Sequence, residues 1–161
     1  MMVMQMNDGK KIAVIRVRGS TGNMPQLNDT LRLLGLTRVN HCVIVGRTAQ
    51  TAGMIERAKS YIAWGEIDAP TLAAMVEKRG RLIGDKRITD ALVTASGFGS
   101  FSDFAEKVVG GKAQLSSLTG MKKVFRFHPP RKGYKGIKKA YPYGALGNRG
   151  AEINEMIKRM I

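Results

Sequence analysis

Lys11-Ile12-Ala13-Val14-Ile15-Arg16-Val17-Arg18-Gly19 decides the fold. Its inner part is a near-continuous apolar run, mostly β-branched, which is the pattern of a strand set into a core. Its end alternates Arg16-Val17-Arg18, so one face is expected to stay buried while the other turns basic. Ser20-Thr21-Gly22-Asn23 then reads as a loop, and Pro25 suits the first turn of a helix. Leu27, Leu31 and Leu34 recur at i, i+4 and i+7, and Gly35 is a natural stop. Cys42-Val43-Ile44-Val45-Gly46 is a second strand by its β-branched content. A helix fits Thr51 to Lys59, with Met54, Ile55 and Ala58 facing the sheet, and Tyr61-Ile62-Ala63-Trp64-Gly65 reads as a third strand. The order β-α-β-α-β with short connections predicts a compact three-stranded sheet with both helices on one face. The fold class is therefore α/β (α+β), a sheet domain of ferredoxin-like type.

Beyond Pro70 the pattern changes. Thr71–Arg79, Ile88–Ala95 and Phe101–Val109 have helical spacing and predict a small helical insertion on the sheet domain. Ser100 with Asp103 three residues on is a capping-box pattern. Lys122-Lys123-Val124-Phe125-Arg126-Phe127-His128 alternates apolar and basic residues, a candidate fourth strand with Val124 and Arg126 facing away from Phe125 and Phe127. His128-Pro129-Pro130-Arg131-Lys132-Gly133-Tyr134-Lys135-Gly136 and Tyr141-Pro142-Tyr143-Gly144 are too rich in Pro and Gly for a long helix and predict an extended basic C-terminal arm. Glu152 to Met160 closes the chain as a short helix whose Ile153, Met156, Ile157 and Met160 dock on protein. The expected organisation is a flexible N-terminus at 1–9, the sheet domain at 10–67 and the helical insertion at 68–118. The fourth strand and basic arm follow at 119–151, and the C-terminal helix at 152–161.

Charge points to a partner. Of the net charge of +15, the stretch from Lys107 to Ala151 supplies eleven Lys and Arg and no Asp or Glu. A single-sign run gains nothing from internal ion pairs, and it becomes favourable against a polyanion whose condensed counterions it releases. Aromatics interleaved with the cations suit single-stranded or folded RNA better than a flat duplex. A membrane arm would pair its charge with an amphipathic helix, which Gly and Pro forbid here. No apolar run approaches the roughly 20 residues of a membrane-spanning helix, and the Met-rich start lacks the features of a secretory signal. The single Cys42 cannot form an internal disulfide, which fits the cytoplasm.

Catalysis finds no support. Two separated histidines and one cysteine give no metal-ligand spacing, no Ser/His/Asp order stands out, and no cofactor or small-molecule substrate is implied. Gly110-Gly111-Lys112-Ala113 lacks the Ser or Thr a phosphate loop needs after its Lys. Ser96-Gly97-Phe98-Gly99-Ser100-Phe101 resembles part of a base-stacking strand but has Ser where Lys or Arg and an aromatic belong.

Ile12 to Gly19, the run Thr30-Leu31-Arg32-Leu33-Leu34-Gly35-Leu36-Thr37-Arg38-Val39-Asn40-His41, and Gly53 to Gly65 together resemble the large-subunit ribosomal protein "L thirty" family. The helical insertion, with Phe127-His128-Pro129-Pro130-Arg131-Lys132-Gly133 and Gly147-Asn148-Arg149-Gly150, is similar to the archaeal form, whose eukaryotic relative "L seven" shares the plan. The resemblance implies a structural constituent of the large ribosomal subunit, bound to large-subunit rRNA near the 5S rRNA region, with 5S rRNA and neighbouring ribosomal proteins as partners. The residues themselves leave open a free RNA-binding or RNA-chaperone module without a fixed partner. Candidate rRNA-binding groups are Arg16, Arg18, Arg38 and His41 in the sheet domain. From the C-terminal stretch they are Lys122, Lys123, Arg126, His128, Arg131, Lys132, Lys135, Lys138, Lys139 and Arg149.

Overall fold

The computed structural model describes residues 10–161, so the N-terminus expected to be flexible lies outside the described residues. Strand β1 (Lys11–Arg16) pairs antiparallel with β2 (His41–Gly46) on one side and with β3 (Ile62–Glu66) on the other. Helices α1 (Pro25–Leu33) and α2 (Ala49–Ala58) make the connections, so two strands running the same way flank one running against them. Gly35, at φ 85°, ends the first helix, and the Leu36 N–H reaches back 2.8 Å to the Leu31 carbonyl. The second helix begins two residues before the expected Thr51. Thr48 caps it, its hydroxyl accepting from the Thr51 N–H at 3.2 Å while the Thr51 hydroxyl accepts from the Thr48 N–H at 2.9 Å.

The sheet is covered on both faces. Ile12 and Val14 turn to a core with Leu31, Leu36, Ile55 and Trp64 beneath the first two helices. Ala13 and Ile15 turn to a second core built by α3 (Ala69–Arg79), α4 (Asp90–Ala95), α5 (Phe101–Val109) and α6 (Ile153–Lys158). The expected basic face of β1 is thus a buried one. The helices expected to sit on the sheet domain as an insertion form the second layer of the sheet itself. Phe104 and Phe125 are wholly buried there, each worth about 1.5–3 kcal/mol relative to exposure. Ser100 accepts from the Asp103 N–H at 3.2 Å, but the Asp103 carboxylate accepts from Gly99 N–H at 3.1 Å rather than from Ser100, so half of the expected box is made.

The segment after the helices supplies both sheet edges. β4 (Val124–Arg126) pairs antiparallel with β2, and β5 (Gly147–Asn148) pairs parallel with β3, giving the order β4-β2-β1-β3-β5. Phe125 and Phe127 face the second core and Val124 the first, in the alternation expected. The last helix docks closely on β3. A Cβ on Gly65 would lie 2.2 Å from the Gly150 carbonyl oxygen, so only glycine permits the approach. Asn154, buried beside it, donates to the carbonyls of Glu66 (3.2 Å) and Ala151 (2.9 Å) and accepts from the Asp68 N–H (3.1 Å).

Between the edge strands the chain does not run out as an extended arm. The Arg131 N–H donates to the Arg159 carbonyl (3.0 Å), Tyr141 N–H to Leu146 (2.7 Å), and Ala145 N–H to Gly136 (3.1 Å). Tyr134 donates its hydroxyl to the Asn40 side chain, and Ala145 and Leu146 are buried. These few apolar and aromatic side chains fold the basic stretch back on the sheet, while its cations stay outside.

Candidate nucleic-acid interface

Arg38 is an exposed cation on a fixed backbone. It stands on the short connection between α1 and β2, which is pinned from behind. Arg16, the last residue of β1, is 2 % exposed. Its guanidinium donates to the Leu36 carbonyl (2.8 Å), the Arg18 carbonyl (2.9 Å) and the Ser20 hydroxyl (2.8 Å). Arg16 therefore stands behind the interface and not on it: the Leu36–Thr37 connection closes over a side chain that alternation alone puts in solvent. The far end of the connection is fixed too, because Asn40, in the left-handed region at φ 66°, donates its N–H to the Arg16 carbonyl (2.8 Å).

His41 faces Arg126 across the β2–β4 ladder, and its ring lies 3.4 Å from the Thr37 hydroxyl. Burial, then the charges of Arg126, Arg38 and Arg16, hold its pKa below the ordinary histidine value. Three cations thus converge on one neutral imidazole, a field suited to an anion.

Of the eleven cations in the acid-free stretch, four find a carboxylate just outside it in sequence or, for Asp85, brought in by the fold. Lys122 and Arg126 reach Asp85 at 2.6 and 3.8 Å, Lys107 reaches Asp103 at 3.0 Å, and Arg149 reaches Glu152 at 4.0 Å. Lys122 and its hydrogen bond are also what hold the Asp85 carboxyl below the usual carboxylate range. Seven have no ion pair among the described residues: Lys112, Lys123, Arg131, Lys132, Lys135, Lys138 and Lys139. All seven are exposed.

Three candidates sit differently. Arg149 is largely covered, its guanidinium directed at the carbonyls of Gly144 (3.3 Å) and Ala145 (3.4 Å) and over the Tyr141 ring, so it braces the loop. The ring nitrogens of His128 lie 2.6 Å from the Pro129 carbonyl oxygen and 3.1 Å from that of Ile161. Arg18 lies 4.6 Å over the Tyr61 ring and donates to the Ser60 carbonyl at 3.2 Å. Arg18 and Lys138, far apart in sequence, line one recess of about 320 Å³ over Trp64 and Leu146. Lys59 joins them there, a residue whose only signal in the sequence is its place at the end of a helix. Phe98, the centre of the base-stacking resemblance, is buried edge-on to Phe104 with ring centres 4.9 Å apart.

Among the described residues no helix is long and apolar enough to cross a membrane. The sequence model of the family described as ribosomal protein L30p/L7e matches residues 12–62. Large ribosomal subunit protein uL30 of Methanocella arvoryzae is 47% identical over 150 residues, which covers 92% of this chain and 98% of that protein. The protein of the same name from Methanococcus maripaludis is 46% identical over 152 residues, again 92% and 98% of the two chains. That of Archaeoglobus fulgidus is 44% identical over 149 residues, with the same coverage.

Proposed function

This chain belongs to the ribosomal protein L30p/L7e family, and from that premise we propose that it grips large-subunit rRNA near the 5S rRNA region. It is a structural constituent of the large ribosomal subunit and not an enzyme, and its place is the ribosome in the cytoplasm. The sheet domain at 10–67 is the platform, and the segment at 119–151 carries the charge that meets the RNA.

The observation behind this reading is the row of unpaired, exposed cations on a segment tied into both sheet edges. Arg38, His41, Arg126 and Lys123 form one end of the contact, and Arg131, Lys132, Lys135, Lys138, Lys139 and Arg18 the other. Arg16, Lys122, His128 and Arg149 support it from within. Most of these contacts go to phosphate and sugar and position the protein without reading bases. Neighbouring ribosomal proteins and 5S rRNA are the further partners.

Sedimentation of the tagged protein with large subunits tests this. One copy per subunit, retained at moderate salt and released at high salt, is the expected result. Spread over many RNAs without fixed stoichiometry would overturn it in favour of a free RNA chaperone.

A further inference from the structure

A second cationic surface lies outside every group considered so far. Where α3 ends, the chain turns through Gly80-Arg81-Leu82-Ile83-Gly84-Asp85-Lys86-Arg87. Arg81 and Arg87 pair as an antiparallel bridge, and Gly84 (φ 85°) and Asp85 (φ 59°) close the turn. The hairpin is held firmly by its backbone. The Leu82 N–H donates to the Lys86 carbonyl (2.8 Å), Ile83 N–H to Gly120 (2.9 Å), and Lys122 N–H to Arg81 (2.8 Å).

Its charges, by contrast, are unfavourable among themselves. Lys78, Arg79, Arg81, Lys86 and Arg87 make no ion pair among the described residues. The hairpin's own carboxylate, Asp85, is drawn away to Lys122 and Arg126. Two arginines opposed across an antiparallel bridge repel, and like charges so placed destabilise a sheet pair. Arg81 is partly accounted for, because it donates to the Gly80 carbonyl at 2.9 Å at the end of α3. Lys86 and Arg87 have no such explanation: both are exposed, and their side chains make no hydrogen bond or ion pair among the described residues.

We propose that this hairpin and the end of α3 form a second rRNA-docking surface, which takes backbone phosphates in the recess between them. The recess, about 450 Å³, is lined by Glu77, Lys78, Arg79, Arg81, Arg87 and Ile161. Three guanidinium forks around one concavity suit phosphate oxygens, each of which accepts paired hydrogen bonds. A protein partner fits poorly, since Ile83 is the one large apolar side chain the hairpin exposes and an interface core needs more. Because the backbone is fixed in advance, docking orders little, and the phosphate relieves the Arg81–Arg87 repulsion. Through Asp85 the surface continues to Arg126 and so to the first patch. The inference rests on the rRNA reading above and extends it to residues that reading does not use.

The test uses the full chain and deproteinised large-subunit rRNA, with affinity measured across a series of salt concentrations. Lys86→Ala combined with Arg87→Ala is expected to flatten the slope of log K against log salt by roughly 1.4 to 1.8, as for two neutralised phosphates. The charge-keeping pair Lys86→Arg with Arg87→Lys restores it, and the alanine pair, which relieves the Arg81–Arg87 repulsion, does not lower the thermal midpoint. An unchanged slope in the alanine pair overturns the inference. So does an unchanged slope with loss of the variant from large subunits, which assigns the hairpin to a protein neighbour. A wild-type chain without salt-dependent rRNA binding brings down the rRNA reading itself, a result separable from the other two.

Discussion

The inner and outer faces of the Leu36–His41 connection carry the same charge and different duties. Inside, Arg16 is buried and all three of its guanidinium nitrogens are committed to the protein. Outside, Arg38 is exposed on a backbone that Arg16 holds still. A cation whose donors meet carbonyls belongs to the fold, and one whose donors meet nothing is available to a partner. Sign and sequence neighbourhood do not distinguish them; hydrogen bonding and burial do.

The largest expected effect lies inside. Arg16→Ala strands the Leu36 and Arg18 carbonyls and leaves a gap, at a cost of about 3 kcal/mol of folding stability. Chemical denaturation reads this directly, and a variant as stable as the wild type would erase the distinction between the faces. Next, Arg38→Ala should lose about 1.5–3 kcal/mol of rRNA binding, as for a hydrogen bond to a charged group, with the unfolding midpoint held. Lost stability with intact affinity would make Arg38 a second Arg16. Smaller again, Lys135→Ala removes one charge of many on the folded-back loop. We expect it to cost below about 1 kcal/mol of binding and to flatten the salt slope by about 0.7 to 0.9.

The smallest effect is a pH dependence. Because burial, Arg126, Arg38 and Arg16 lower the His41 pKa in the fold, the unfolded chain binds the proton more readily. The contribution of His41 to stability is present above the unfolded value of about 6.5 and is lost as pH falls below it toward the folded one. On rRNA the sign reverses, since a phosphate beside the ring favours the imidazolium and binding tightens as pH falls. His41→Gln should remove both trends, and affinity that weakens on acidification would refute the placement of phosphate there.

The β-α-β-α-β core was legible because its signals are local. Leucine spacing set α1, Gly35 ended it, and β-branched runs marked β1 and β2. The two-residue miss at the start of α2 comes from a Thr48–Thr51 cap, which lacks the Glu or Gln that makes a capping box conspicuous. Arg16 was misread because alternation reports which side of a strand a residue faces, not what closes over it. The arm was read as extended because Pro and Gly break helices, but they do not prevent folding back. The contacts that fold it, Tyr134 to Asn40 and Arg131 to Arg159, join residues remote in sequence. Of the candidate interface, charge was legible and pairing only where it is local: Glu152 lies three residues from Arg149, but Asp85 reaches Lys122 and Arg126 only through the fold.

That one segment closes both sheet edges has a consequence for the order of assembly. Strands β1 to β3 lie within residues 11–66, so their pairing closes only modest loops, whereas β3 must wait for Gly147 and β2 for Val124. Contacts so distant along the chain form late in folding. Until they form, the newly made sheet shows two open rims of unpaired amides and carbonyls, templates for association with another chain. The residues that seal those rims belong to the most positively charged part of the molecule, where like copies repel. The charge that suits the segment to RNA thus also keeps unfinished chains apart while they wait for it.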